Sequence, residues 1–202
     1  MTTLKSCFAA IQDIRTSERR FYQKITDIYA TSIDYDPTLE IRIEFFKTVQ
    51  NKMHWAITDK TAAEIIHERA DRDKPNMGLT NWRGAKVRKQ DVSIAKNYLT
   101  EKELLALNNL VEQYLIFAEG HAMRRIAIHM ADWIKKLDAF LTLNERDILA
   151  HAGTISHEMA REIAEDEYDK FNRKLIRQKD RLDGDFEKTI KQLTNGKRGK
   201  KA

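Results

Sequence analysis

Residues 100–118 read TEKELLALNNLVEQYLIFA. Leu104, Leu107, Val111, Tyr114, Leu115 and Ala118 recur at three- and four-residue steps, the period that aligns side chains on one face of an α-helix. Thr100 and Glu103 stand three apart just ahead of that run. In such a capping box each side chain takes up a backbone N–H that the first helical turn leaves free. The stretch therefore predicts a long helix that opens at Thr100 and buries one face.

The same period extends in both directions. Toward the C-terminus, Asp132 opens an amphipathic stretch with Trp133, Leu137, Phe140 and Leu141, and Asn144 reads as the cap of a further segment through Ile148 and His151. Gly153 breaks the chain before Ser156, where a charged helix through Phe171 and Leu182 begins, with Ile155, Met159 and Ile163 as its early apolar positions. Toward the N-terminus, Val92, Ala95 and Leu99 suggest a short helix, and Thr61 opens another over 62–69 that Pro75 closes off. Before it, Thr38 reads as the cap of a helix with Ile41, Phe45, Val49, Met53 and Trp55 on one face. Leu4, Phe8, Ile11, Ile14, Phe21, Ile25 and Ile28 form the stripe of a long first helix, opposite Arg15, Arg19 and Lys24. Asp34, Asp36 and Pro37 end it. Only residues 77–87 could pair as strands, and their alternation is weak. The reading is all-α: a multi-helix bundle with one basic, Gly- and Trp-containing loop or small hairpin. Residues 1–190 are expected to form a single helical domain and residues 191–202 a basic disordered tail, since the last residues lack apolar anchors.

With 202 residues, of which 42% are hydrophobic and 33% charged, the chain has the make-up of a soluble globular protein. Its single cysteine, Cys7, excludes an internal disulfide framework and suits a reducing cytosol. Cys7 also sits at helical spacing with Leu4 and Ile11, the pattern of a core residue rather than a nucleophile. The longest apolar runs, such as 114–118, are far too short to span a bilayer. A cytoplasmic protein without a membrane partner is expected.

Charge is distributed unevenly. Lys74, Arg83, Lys86, Arg88 and Lys89 put five cations and no anion into residues 74–90, and the tail adds Lys197, Arg198, Lys200 and Lys201. Of a net charge of +5 this leaves −4 for everything else. Two basic islands on an acidic body suggest a directed contact with an anionic partner. Within the first island, Gly78 and Gly84 permit close backbone approach, Trp82 could stack on a base or sugar, and the cations could neutralise phosphates. The plainer alternative makes Trp82 a core plug and the cations a solvated rim.

Just ahead of this loop, Glu64, His67, Glu68, Arg69 and Asp71 form a dense polar set. Glu64 or Asp71 with His67 could serve as an acid–base pair beside phosphate-holding Lys74 and Arg88. Ordinary helix salt bridges and a capped terminus account for the same residues and are the favoured reading. The six histidines show no metal-ligand spacing: His54 and His67 are too far apart to share a turn, and no cysteine or HExxH-type partner accompanies either. No metal and no cofactor are expected. Phosphate-binding GxxxxGK[ST] and nucleophile-elbow GxSxG motifs do not occur.

The strings TAAEIIHERAD, KPNMGLTNW and KNYL, within a run from HWAITDK to TEKEL and flanked by SERRFYQKITDIYATSIDYD and DWIKKLDAFLTLNERDILAHAG, give the chain a close resemblance to the RhuM virulence-protein family of bacteria. The resemblance covers residues 14–171. It implies a bacterial protein of pathogenicity or other mobile genomic islands, often near restriction–modification genes, without an established biochemical activity. Relatives usually carry, upstream, a domain similar to the DNA-binding modules of phage antirepressor proteins. By that comparison the chain is expected to be the C-terminal portion alone, a natural short form or a gene remnant. Ile126, Ala127 and Ile128 stand where relatives would carry a proline-containing step. The function expected is that of a nucleic-acid-associated or protein-interaction module. Its partners would be nucleic acid, a second copy of the chain, or a protein supplying the N-terminal domain. The alternative is a phosphate-handling enzyme or toxin built on Glu64, His67 and Asp71.

Overall fold

The computed structural model describes residues 39–124 and 128–198, together with 23, 26, 30 and 32–34. Five α-helices run through them: α1 Leu39–Thr58, α2 Ala62–Arg69, α3 Glu101–Met123, α4 Met130–Leu143 and α5 His157–Arg198. Short 3-10 turns at Pro75–Gly78, Lys89–Asp91 and Ala95–Tyr98 fill the connection between α2 and α3. No strand occurs among the described residues, so the all-α reading holds and the hairpin alternative for 77–87 does not. The stripe from Leu4 to Ile28 and the cap at Thr38 lie outside the described residues.

Local chemistry sets most of the boundaries. Thr61 and Glu64 close a capping box on α2, and Thr100 and Glu103 close one on α3, as their spacing requires. Ser156 begins α5 by accepting the Met159 N–H at 3.1 Å. Asn144 behaves otherwise than expected. It ends α4, donating its backbone N–H to Phe140 and Leu141 and its side-chain amide to the Phe140 carbonyl at 2.8 Å. Residues 146–150 are not helical. Buried Lys52 holds that stretch instead, bonding the Leu149 carbonyl at 3.1 Å and pairing with Asp138 at 2.8 Å.

The core has two parts. In one, α1 packs on α3 and α4, burying Phe45, Val49 and Met53 with Leu104, Leu107, Tyr114, Leu115, Trp133, Leu137 and Leu141. Tyr114 and Phe140 meet at a ring separation of 5.5 Å, and the Tyr114 hydroxyl donates to the Trp133 carbonyl at 3.3 Å. In the other part, α2 lies along the first half of α5. The buried positions of α5 there are Ala160 and Ala164 rather than the expected Met159 and Ile163, of which Met159 is exposed and Ile163 half-buried. Two alanines a turn apart let the helices approach closely, so α2 can bury Ala63, Ile65 and Ile66 fully. No helix among the described residues is long and apolar enough to cross a membrane.

Candidate nucleic-acid interface

The loop between α2 and α3 is held down by apolar residues and backbone bonds. Met77, Leu79 and Val92 are buried, and the backbone N–H groups of Thr80 and Asn81 both donate to the Asn97 carbonyl, at 2.7 and 3.2 Å. Farther along, Tyr168 of α5 donates to the Val87 carbonyl at 3.4 Å, and the Arg88 N–H donates to buried Asp91 at 2.9 Å. Trp82 is half-buried and packs against the core, an arrangement between the plug and the stacking platform that its sequence allowed.

The five cations of this loop separate into two groups. Lys89 bonds Asp169 at 2.8 Å with Glu165 3.7 Å away, both on α5, and Lys74 lies 4.0 Å from Asp71. These two are largely occupied with the fold. Arg83, Lys86 and Arg88 are exposed, and among the described residues none of their side-chain charges is paired with a carboxylate; only the Arg88 backbone N–H meets one, that of Asp91. Their charge is directed at solvent from a backbone fixed at both ends.

The acid–base candidates sit differently. Glu64 has both oxygens filled: one accepts the Thr61 N–H at 2.8 Å, the other the Thr154 N–H at 2.8 Å and its hydroxyl at 2.7 Å. Burial pushes this carboxyl up, but the Thr154 and Thr61 hydrogen bonds together outweigh it and hold the group at about 2. Glu64 thus ties the chain after Gly153 to the start of α2. His67 is exposed, and Asp71 accepts the Asp73 N–H at 2.8 Å in a local turn. The polar set contains one more tie, centred on Arg69, which makes a two-pronged pair with Glu103 at 2.7 Å on each prong and donates to the Tyr98 carbonyl at 2.9 Å.

The sequence pattern alone did not single out a basic stripe in α5. Lys170, Arg173, Lys174, Arg177 and Arg181 line an open groove of about 700 Å³ beside Arg72 and Asp73. The signal was present as three- and four-residue spacing, but Asp166, Asp169 and Asp180 interrupt the run when it is read linearly.

The sequence model for the virulence protein RhuM family matches residues 3–179, most of the chain. The chain belongs to that family. No curated protein and no solved structure matches it.

In this RhuM-family chain the perturbed groups give stability a defined pH dependence. His54 on α1 is buried, and burial, with Lys96 nearby, pushes its imidazole down from 6.5 to about 4. A folded value below the unfolded one means that its contribution is complete above about pH 6.5 and is lost as pH falls toward 4. For Glu103 the Arg69 bonds come first and the Thr100 N–H adds to them, holding the carboxyl at about 2 against an ordinary 4.5. Glu64 and Glu103 therefore stabilise fully above about pH 4.5 and cease to do so toward pH 2. Melting temperature should fall in two stages on acidification. His54→Gln is expected to flatten the limb between pH 6.5 and 4 and leave the lower one. An unchanged upper limb would mean that His54 is protonated without cost.

Proposed function

We propose that this RhuM-family protein acts by binding, and that the phosphate backbone of a nucleic acid docks on the loop of residues 80–88. The observation that carries this reading is the trio Arg83, Lys86 and Arg88, exposed and not neutralised by any described carboxylate on a loop anchored through Met77, Leu79 and Val92. A fixed backbone reduces the entropy lost when cationic side chains meet phosphates. Trp82, next to Arg83 in the chain and only half-buried, would supply a stacking surface. An enzyme built on Glu64, His67 and Asp71 draws less support, because a carboxylate held at about 2 with both oxygens occupied is a poor proton acceptor near neutrality.

The test is a fluorescence-anisotropy titration of a labelled oligonucleotide at salt concentrations from about 50 to 200 mM. Replacing Arg83, Lys86 and Arg88 together by alanine is expected to weaken binding and reduce the log–log salt slope by about 2 to 3 units, close to one for each phosphate that is no longer neutralised. Lys89→Ala should change the slope far less, since that ammonium is already paired within the fold. A triple variant with unchanged circular dichroism and an unchanged slope would remove the loop from the interface.

A further inference from the structure

A second concentration of positive charge lies on α5, away from the loop. Residues 165 and 169, which hold Lys89, and residues 170 and 174, which border the 72–73 turn, project from different sides of the helix, five residues turning it through about 140°. Between that turn and the middle of α5 runs the groove of about 700 Å³. Arg72, Lys170, Arg173, Lys174, Arg177 and Arg181 line it, with Gln178 and a single carboxylate, Asp73. Small-molecule pockets of this size are mostly apolar with a few polar groups; this one has neither an aromatic nor an aliphatic residue in its wall. The chemistry fits an anion and little else.

Among the described residues, internal pairing accounts for only half of the cations. Lys174 bonds Asp73 at 3.1 Å, Arg72 stands 3.6 Å from Glu167, and Lys170 bonds Glu167 at 3.0 Å. Those pairs set the turn against the helix and form one wall. Arg173, Arg177 and Arg181 are left. The Arg173 Nε donates to the Asp169 carbonyl at 3.1 Å, which orients the guanidinium and leaves its terminal nitrogens available. Among the described residues Arg177 and Arg181 meet no carboxylate, and both are exposed. Three arginines at four-residue spacing advance about 6 Å per step and about 12 Å in all. A single phosphate cannot reach along such a row. A chain of phosphates can, and the planar fork of arginine suits phosphate oxygens.

We propose that this groove is a second phosphodiester-binding site, in which Arg173, Arg177 and Arg181 contact successive phosphates of one nucleic-acid strand without reading its bases. It extends the binding reading of the loop to a separate surface and does not require the loop to take part. Because no stacking residue lines the groove, its contribution should be independent of base sequence and depend steeply on salt.

The experiment titrates single-stranded and duplex oligonucleotides of mixed sequence into the full chain and into a variant carrying Arg173→Gln, Arg177→Gln and Arg181→Gln. Glutamine keeps helix propensity and removes three charges. A control carrying Lys47→Gln, Lys102→Gln and Lys135→Gln loses the same charge from exposed positions outside the groove. The groove variant is expected to lose at least tenfold in affinity and about 2 to 3 units of salt slope, with the control nearly unchanged. Equal losses in both variants would reduce the effect to net charge and overturn the site. The loop variant separates the two readings: loss there with none in the groove variant removes this proposal, whereas loss only in the groove variant leaves it standing and removes the loop. Inorganic tripolyphosphate competing as well as an oligonucleotide of equal phosphate concentration, or binding to phosphatidylserine vesicles but not to oligonucleotides, would also overturn it. Should the triple variant fold poorly, Arg177→Glu alone must lower affinity by at least severalfold.

Discussion

Replacing Arg69 by alanine is expected to destabilise the fold by about 2 to 4 kcal/mol. Arg69 is the last residue of α2, and Glu103 lies in the first turn of α3. Each charge therefore sits at the helix end whose dipole favours it. The two side chains are mostly shielded, at 22% and 23% exposure, and meet through two bonds of 2.7 Å. Truncation would leave the Tyr98 carbonyl without this donor and Glu103 charged with only its Thr100 bonds, at 2.7 and 3.0 Å. The penalty is set below that of a fully buried pair because solvent still reaches both groups. Arg69→Lys should recover little, since an ammonium cannot reproduce the two-pronged geometry. The exposed Lys60–Glu68 pair supplies the contrast: Lys60→Ala should cost under about 1 kcal/mol. Urea denaturation of the three variants measures all of this. A cost for Arg69→Ala no larger than that for Lys60→Ala would mean that the tie between α2 and α3 contributes nothing in solution.

What the sequence revealed, and what it hid, follows from the range of each interaction. The capping box of α3 was legible because donor and acceptor lie three residues apart, the start of α2 only as Thr61 opening a helix, and the faces of α3 and α4 because the helical period repeats. Glu64 could be read only halfway. Its bond to Thr61 is local, but its other oxygen holds Thr154, ninety positions later, and that contact fixes the side chain as a carboxylate. Asn144 misled because a short amide satisfies free groups at either end of a helix, and Lys52, which actually holds the following segment, is remote in sequence. Met159 and Ile163 drew attention by their hydrophobicity, whereas close approach of α2 selects small side chains on α5. The basic loop was visible as composition. Which of its cations stay free was not, because Asp169 and Glu165 reach Lys89 from a distant helix.

Gly78→Ala is expected to be more damaging than its size suggests, costing roughly 2 to 6 kcal/mol from backbone strain and overpacking together. Asn76, Met77 and Gly78 all adopt positive φ, at 52°, 60° and 78°. This left-handed run turns the chain so that Met77 and Leu79 both enter the core at the base of the basic loop. Two non-glycine residues already carry strain there, and a third would add to it. Space is the larger obstacle. A Cβ on Gly78 would lie 2.4 Å from the Arg69 carbonyl oxygen, a backbone atom at the end of α2 that cannot swing aside as a side chain would. Gly84, with φ of 89°, tests strain without the clash: its nearest neighbour would be the tip of Arg88 at 3.8 Å, so Gly84→Ala should cost only about 1 to 2 kcal/mol. The ratio of the two losses in urea denaturation isolates the close approach. Equal losses would show that the chain at Gly78 stands farther from Arg69 in solution, and that Met77 does not anchor the loop through this turn.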